Sequence, residues 1–368
     1  MKIGIITLPL HSNYGGILQA YALQKALSAL GHQAFVIQPD KQNIPLVKRA
    51  IKFSKNTIKW LRGDNVIFNI DELKENASRI TRPFVDKHIP LVSKSAIYSD
   101  EELRSFDAFV VGSDQIWRPK YYPNIAEAYF SFLPENSTAK RIAYAPSFGT
   151  DSWEYSISQA AECKRLIGKF NSLSVREISA VDLCNAHFNV KAEHVLDPTL
   201  LIERQTYIDL FQTSNKIHSG GTLFSYILDM NDEKTSAIKH IEKQLNVTSF
   251  SPSKPSIKKN VPIELNIEYS VEQWLKAFND AEFIITDSFH AVVFSIIFNK
   301  PFLVWGNVQR GLTRFSSLLR IFDLEDRLVT SAKSVESVVA KKIDWQHVNS
   351  LHEKKKNESI QFLQEALN

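Results

Sequence analysis

Residues 3–38 read IGIITLPLHSNYGGILQAYALQKALSALGHQAFVIQ, and their pattern decides the fold. Ile3 to Thr7 is a short β-rich run. Ile17 to Leu30 follows with helical periodicity. Ala20, Leu23, Leu27 and Leu30 share one face, and Gly31 stands where a helix would stop. Gln33 to Gln38, with Phe35, Val36 and Ile37 at its centre, reads as a second strand. Strand, loop, helix and strand in that order open a Rossmann-like unit.

The alternation continues outward from this start. Phe106–Val111, Arg141–Ala145, Leu173–Val175 and His194–Leu196 read as strands, with helices over Ser158–Phe170 and Glu177–His187. A second series begins with a strand at Thr222–Leu228, a helix over 232–245 and a strand at Val247–Ser251. Ser270 and Gln273 form a capping box for a helix through Phe278. A strand at 282–286, a helix at 289–298 and a strand at Pro301–Trp305 complete it. The expectation is an α/β protein with two Rossmann-like domains facing a cleft, residues 1–197 and 198–345, followed by a C-terminal helix over 346–368. The boundary falls near Pro198 to Gln212. A chain of 368 residues is too long for one ordinary core, which agrees with two domains.

The composition is that of a soluble globular protein, 44% apolar and 23% charged. A net charge of +4 is small for this length and argues against a dedicated nucleic-acid binder. The two cysteines, Cys163 and Cys184, have no metal-like spacing and suit a reducing compartment. No run reaches the roughly 20 apolar residues that span a bilayer. The N-terminus reads as a strand rather than a signal peptide, so the expected location is cytoplasmic. One segment departs from this picture. Lys41 to Arg62 holds seven basic residues and no acidic one. As a basic amphipathic helix it would rest on an anionic membrane face; the competing reading packs its apolar side on its own domain.

Four polar clusters fall at strand ends, where open α/β sheets bind ligands. Thr286-Asp287-Ser288-Phe289-His290-Ala291-Val292 joins a buried strand to a helix start, where free N–H groups favour an anion. The loop Asn13-Tyr14-Gly15-Gly16 offers hydrogen bonds and close backbone approach, or is simply a turn. In Gly112-Ser113-Asp114-Gln115-Ile116-Trp117, Asp114 binds or activates a sugar hydroxyl, or it only caps a helix; Gln115 and Trp117 are types that contact carbohydrate. In Ser174-Val175-Arg176-Glu177, Arg176 holds phosphate or carboxylate, or pairs with Glu177 at the surface.

These blocks, with Leu196-Asp197-Pro198-Thr199, occur in an order that resembles the polysaccharide pyruvyl transferase family over almost the whole chain. The resemblance implies a two-domain arrangement similar to GT-B glycosyltransferases, with no metal and no cofactor. It implies transfer of the enolpyruvyl part of phosphoenolpyruvate onto two hydroxyls of a sugar, giving a cyclic ketal and phosphate. The acceptor would belong to a cell-surface polysaccharide or its lipid-linked precursor. Arg176 matches the family's phosphoenolpyruvate-contacting arginine and His290 its favoured general acid. Arg310, with Arg314 next, is nearest to a further basic site residue. Asp287, Ser288, Phe289, Asn13, Tyr14, Gly15, Gly16, Gln115 and Trp117 are the other expected substrate contacts, and Asp114 or Asp287 would deprotonate or orient the acceptor. Where many members carry arginine two residues before the histidine, this chain has Ser288, so one donor is lost there or supplied by Arg310 or Arg314. The alternatives are a nucleotide-sugar glycosyltransferase of the same architecture and a non-catalytic glycan- or anion-binding relative.

Overall fold

Short, fully buried apolar runs supply the strands of two parallel sheets. The computed structural model describes residues 1–39, 70–97, 100–212, 222–252, 267–306 and 312–368. The first sheet holds β1 (Lys2–Ile6), β2 (Gln33–Gln38), β3 (Leu91–Ser93), β4 (Ala108–Val111), β5 (Lys140–Ala143), β6 (Ser172–Val175) and β7 (Glu193–His194). Its order is β3-β2-β1-β4-β5-β6-β7, with Ile5 opposite Val36 on one side and Val110 on the other. The second holds β8 (Leu223–Tyr226), β9 (Ser249–Phe250), β10 (Phe283–Thr286), β11 (Phe302–Trp305) and β12 (Leu328–Val329), in the order β12-β11-β10-β8-β9. All four residues of β4, β8, β10 and β11 are buried, as expected of strands covered on both faces.

Strand order reverses between β1 and β4 in the first sheet and between β8 and β10 in the second. Such reversals open a crevice at the carboxyl ends of the strands. The helices used below are α1 (Tyr14–Ala29), α2 (Ile157–Ile167), α3 (Ile178–Leu183), α4 (Asp232–Leu245), α5 (Val271–Asp280), α6 (Phe289–Ile297), α7 (Leu312–Ile321) and α8 (Trp345–Leu367). The two halves share one apolar cluster. Tyr14 of α1 stacks on Trp274 of α5 at 5.2 Å, and its hydroxyl donates to Tyr269 O at 2.6 Å. The C-terminal helix α8 returns to the first sheet. Ser359 Oγ accepts from Leu196 N at 3.0 Å, and Lys140 Nζ donates to Leu367 O at 3.1 Å.

Several element limits differ from the sequence expectation, each for a local reason. Helix α1 starts at Tyr14 rather than Ile17, because Asn13 caps it by accepting from Gly16 N. The strand expected through Leu196 stops at His194, and Leu196 N turns to Ser359 instead. The helix expected over 177–187 divides into α3 and a π-helical turn, Cys184–Phe188, which ends at left-handed Asn189. The edge strands β3 and β12 are too short to carry a periodic signal. The basic segment 41–62 lies outside the described residues. Among the described residues no helix is long and apolar enough to cross a membrane.

Candidate functional site

The carboxyl ends of both sheets feed one buried cluster of charge. Asp114 follows β4, Arg176 and Glu177 follow β6, and Asp197 lies just beyond β7. His290 comes from the first turn of α6 and Arg314 from α7. None of the six is more than 6% exposed. Groups this costly to desolvate persist only when they neutralise one another.

Arg176 is the hub. Its Nη1 donates to Asp197 Oδ2 at 2.8 Å and its Nη2 to Asp114 Oδ1 at 3.3 Å. Its Nε stands 4.0 Å from Glu177 Oε2, too far for a hydrogen bond. His290 Nε2 is 3.6 Å from Asp197 Oδ2. Arg176 Nε, Glu177 Oε2 and His290 Nε2 are all buried without a hydrogen-bond partner. Three such atoms in one place are unusual in a folded interior. Both cations lie near the ring of Phe289, with Arg176 Cζ 4.4 Å and Arg314 Cζ 5.8 Å from its centroid.

The electrostatics follow from that arrangement. Burial alone would raise the carboxyl of Asp114, but Arg176, His290 and Arg314 outweigh it and hold the group below its ordinary value. Asp197 is likewise buried, and His290, Arg176 and a bond from Thr199 hold it well below the usual carboxylate range. Burial wins at Glu177, whose carboxyl is raised although Arg176 and Arg314 oppose the shift. Arg314 is lowered to about 10, by burial first and then by repulsion from Arg176. The carboxyls of Asp114 and Glu177 offset part of that repulsion.

The backbone around the cluster is specialised. Asp114 has a φ of +64° and leads into a short 3₁₀ turn, Gln115–Trp117. Its carboxylate does not cap that turn but goes to Arg176, so the helix-cap reading of the residue does not hold. Gly112 has a φ of +154°, and a Cβ there would stand 1.9 Å from Tyr144 O. Gly15 lets α1 approach α6, since a Cβ would stand 2.1 Å from His290 Nδ1. Behind Asp114, Gln19 Oε1 accepts from Ser113 N at 2.8 Å and ties α1 to the end of β4.

Not every expected residue joins the cluster. Trp117, expected to meet substrate, is fully buried and stacks on Tyr129 at 4.9 Å, its indole N–H donating to Ala128 O. Gln115 accepts from Arg118 Nη1 at 3.0 Å and packs beside Gly149. Tyr14 belongs to the contact between the two halves, and Asn13 and Gly16 form the cap of α1. Asp287 points away: it pairs with Lys234 Nζ at 2.7 Å and accepts from the backbone of Leu228 and Asp229. Ser288 occupies the N-cap of α6 without a side-chain cap bond. Arg310 lies outside the described residues. Asp197 carries no role in the sequence reading beyond membership of a quoted block, and Glu177 only that of a surface partner for Arg176; both are buried.

A small, partly open pocket of about 30 Å³ lies at the ends of β1 and β2. Ile6, Thr7, Ile37 and Tyr122 line it beside the Lys94–Glu127 ion pair. Thr7 Oγ1 reaches Ser113 O at 3.4 Å and so links this wall to the residues next to Asp114.

Solved structures share this frame. TcCGT1 in complex with UDP superposes with a TM-score of 0.50 at 10% identity, covering 100% of this chain and 98% of that one. The chain is also similar to UDP-GlcNAc 2-epimerase from Neisseria meningitidis bound to UDP-GlcNAc (TM-score 0.49, 11% identity, 100% and 99% covered). UGT89C1 of Arabidopsis thaliana with UDP-L-rhamnose is alike to the same degree (0.49, 10%, 100% and 99%). The frame is thus GT-B-like, two Rossmann-like domains with facing strand ends. A search of curated proteins finds no match. The polysaccharide pyruvyl transferase sequence model matches residues 13–307, from the cap of α1 to just beyond β11, and the chain belongs to that family.

Proposed function

We propose that the protein transfers the pyruvyl group of phosphoenolpyruvate to two hydroxyls of a sugar, forming a ketal and releasing phosphate. The observation that carries this reading is the convergence of Arg176, Asp114 and Asp197 from one sheet with His290 and Arg314 from the other half. Arg176 and Arg314 offer guanidinium N–H groups to the phosphate and carboxylate of the donor. His290, as imidazolium, protonates the methylene carbon and leaves an oxocarbenium-like centre at C2. One sugar hydroxyl attacks that centre, the C2–O bond to phosphate breaks, and the second hydroxyl closes the ring. Of the two hydroxyl protons lost, one balances the new methyl hydrogen and the other leaves with phosphate.

Asp114, held ionised by its neighbours, is a weak base. It therefore orients the acceptor hydroxyl rather than removing its proton early. The acceptor lies against the first domain, at the strand ends that carry Asp114. It is a sugar of a cell-surface polysaccharide or its lipid-linked precursor, met in the cytoplasm at the inner membrane face.

Phosphorus NMR tests the reading. The protein is incubated with phosphoenolpyruvate and a panel of free and lipid-linked sugars. Phosphate release that requires an acceptor is expected, and His290→Ala should slow it by about 10²-fold or more. Nucleoside diphosphate release from a nucleotide sugar, with phosphoenolpyruvate untouched, would overturn it in favour of a glycosyltransferase.

A further inference from the structure

We infer that Asp197 is the positioning residue of the site, setting the aim of His290 and Arg176 with a single carboxylate oxygen. The inference rests on the pyruvyl-transfer reading above and adds a role to a residue that the reading leaves idle. Asp197 is 2% exposed. Its Oδ2 lies 2.8 Å from Arg176 Nη1, 3.3 Å from Ser113 Oγ and 3.6 Å from His290 Nε2. Its Oδ1 accepts from Thr199 N at 3.0 Å and Thr199 Oγ1 at 2.6 Å. These neighbours come from different places: the ends of β4 and β6, the turn after β7 and the first turn of α6. The carboxylate therefore ties the first sheet to the helix that carries the acid.

The chain around Asp197 is itself held. Leu196 O accepts from Tyr144 Oη at 3.0 Å and Leu196 N donates to Ser359 Oγ. With its backbone pinned and one oxygen fixed by Thr199, the other oxygen has little freedom. A buried group with these restraints fixes the geometry of its neighbours, and sub-ångström errors in that geometry are expensive in rate. An amide cannot replace it. Both oxygens accept from donors, so an asparagine side chain at this position must present its NH₂ to one donor set whichever way it turns.

The test is a double-mutant cycle on kcat/KM for phosphate release by the full-length protein. Asp197→Asn alone is expected to cost about 10²-fold. In the His290→Ala background the same change should cost about 10-fold or less, because the group it aims is gone. Losses that multiply in full would overturn the inference and leave Asp197 a structural residue. Should Asp197→Asn fail to fold, Thr199→Val carries the cycle. It removes only the hydroxyl bond to Oδ1, and its expected loss of a few-fold should vanish without His290. An equal loss in both backgrounds overturns the inference. A wild-type protein that releases no phosphate from phosphoenolpyruvate sinks the function reading instead, so the two failures are distinct.

Discussion

Glu177 shows how a single buried residue records its surroundings. Its Oε1 accepts from Ser147 Oγ at 2.9 Å and Phe148 N at 3.1 Å, bonds that a glutamine carbonyl can keep. Its Oε2 has no partner, and burial raises the carboxyl above its ordinary value of 4.5. A carboxyl raised by folding costs nothing below its unfolded value; it destabilises as pH climbs from there to the folded value. Glu177→Gln removes that penalty. Its melting temperature relative to wild type should therefore become more favourable as pH rises above the ordinary carboxyl value. A difference that stays flat or shrinks as pH rises would show that the ionised form is well paired. Nothing near Glu177 in sequence foretells this. The raised value comes from enclosure by the turn after β5 and by α7, and a one-dimensional reading registers only an acidic residue next to Arg176.

At the scale of elements, the turn between β10 and α6 combines legible and illegible parts. The buried strand, the polar turn and the apolar helix are all visible as a pattern, since each has a local period. The capping box at Ser270 and Gln273 is equally local and is present. The direction of Asp287 is not visible, because its partner Lys234 lies 53 residues earlier on α4. Trp117 misleads for a related reason. Its residue type suggests sugar contact, while its aromatic neighbours Tyr129 and Phe148 come from other turns. Asp197 escapes notice because its partners sit 21 and 84 residues away. The Lys234–Asp287 pair makes a prediction about the turn. Asp287→Ala would strand a buried ammonium and take an acceptor from two backbone N–H groups. The expected loss is about 3–5 kcal/mol of stability by chemical denaturation. If Asp287 instead acts on the acceptor, the variant should stay near wild-type stability and lose only rate.

For the whole molecule, the question is what holds the two sheets at a fixed distance across the site. Tyr14 against Trp274 is one fastening and α8 is another. Helix α8 follows the second sheet in the chain but lies on the first, with Phe362 6.2 Å from Tyr144 and His352 Nε2 2.8 Å from Leu200 O. It also touches the segment that carries Asp197, through the bond from Leu196 N to Ser359 Oγ. Ser359 is 2% exposed, so its removal leaves a buried N–H without an acceptor. That costs about 1–3 kcal/mol, where loss of an exposed side chain costs within about 0.5. Ser359→Ala should therefore be less stable than Gln364→Ala, which lies on the exposed face of the same helix. Because the lost bond lies one residue from Asp197, Ser359→Ala should also lower kcat/KM for phosphate release at temperatures where it is fully folded. Gln364→Ala should not. Equal behaviour of the two variants would mean that α8 covers the first sheet without helping to set the site, leaving that task to Tyr14 and the turn at Thr199.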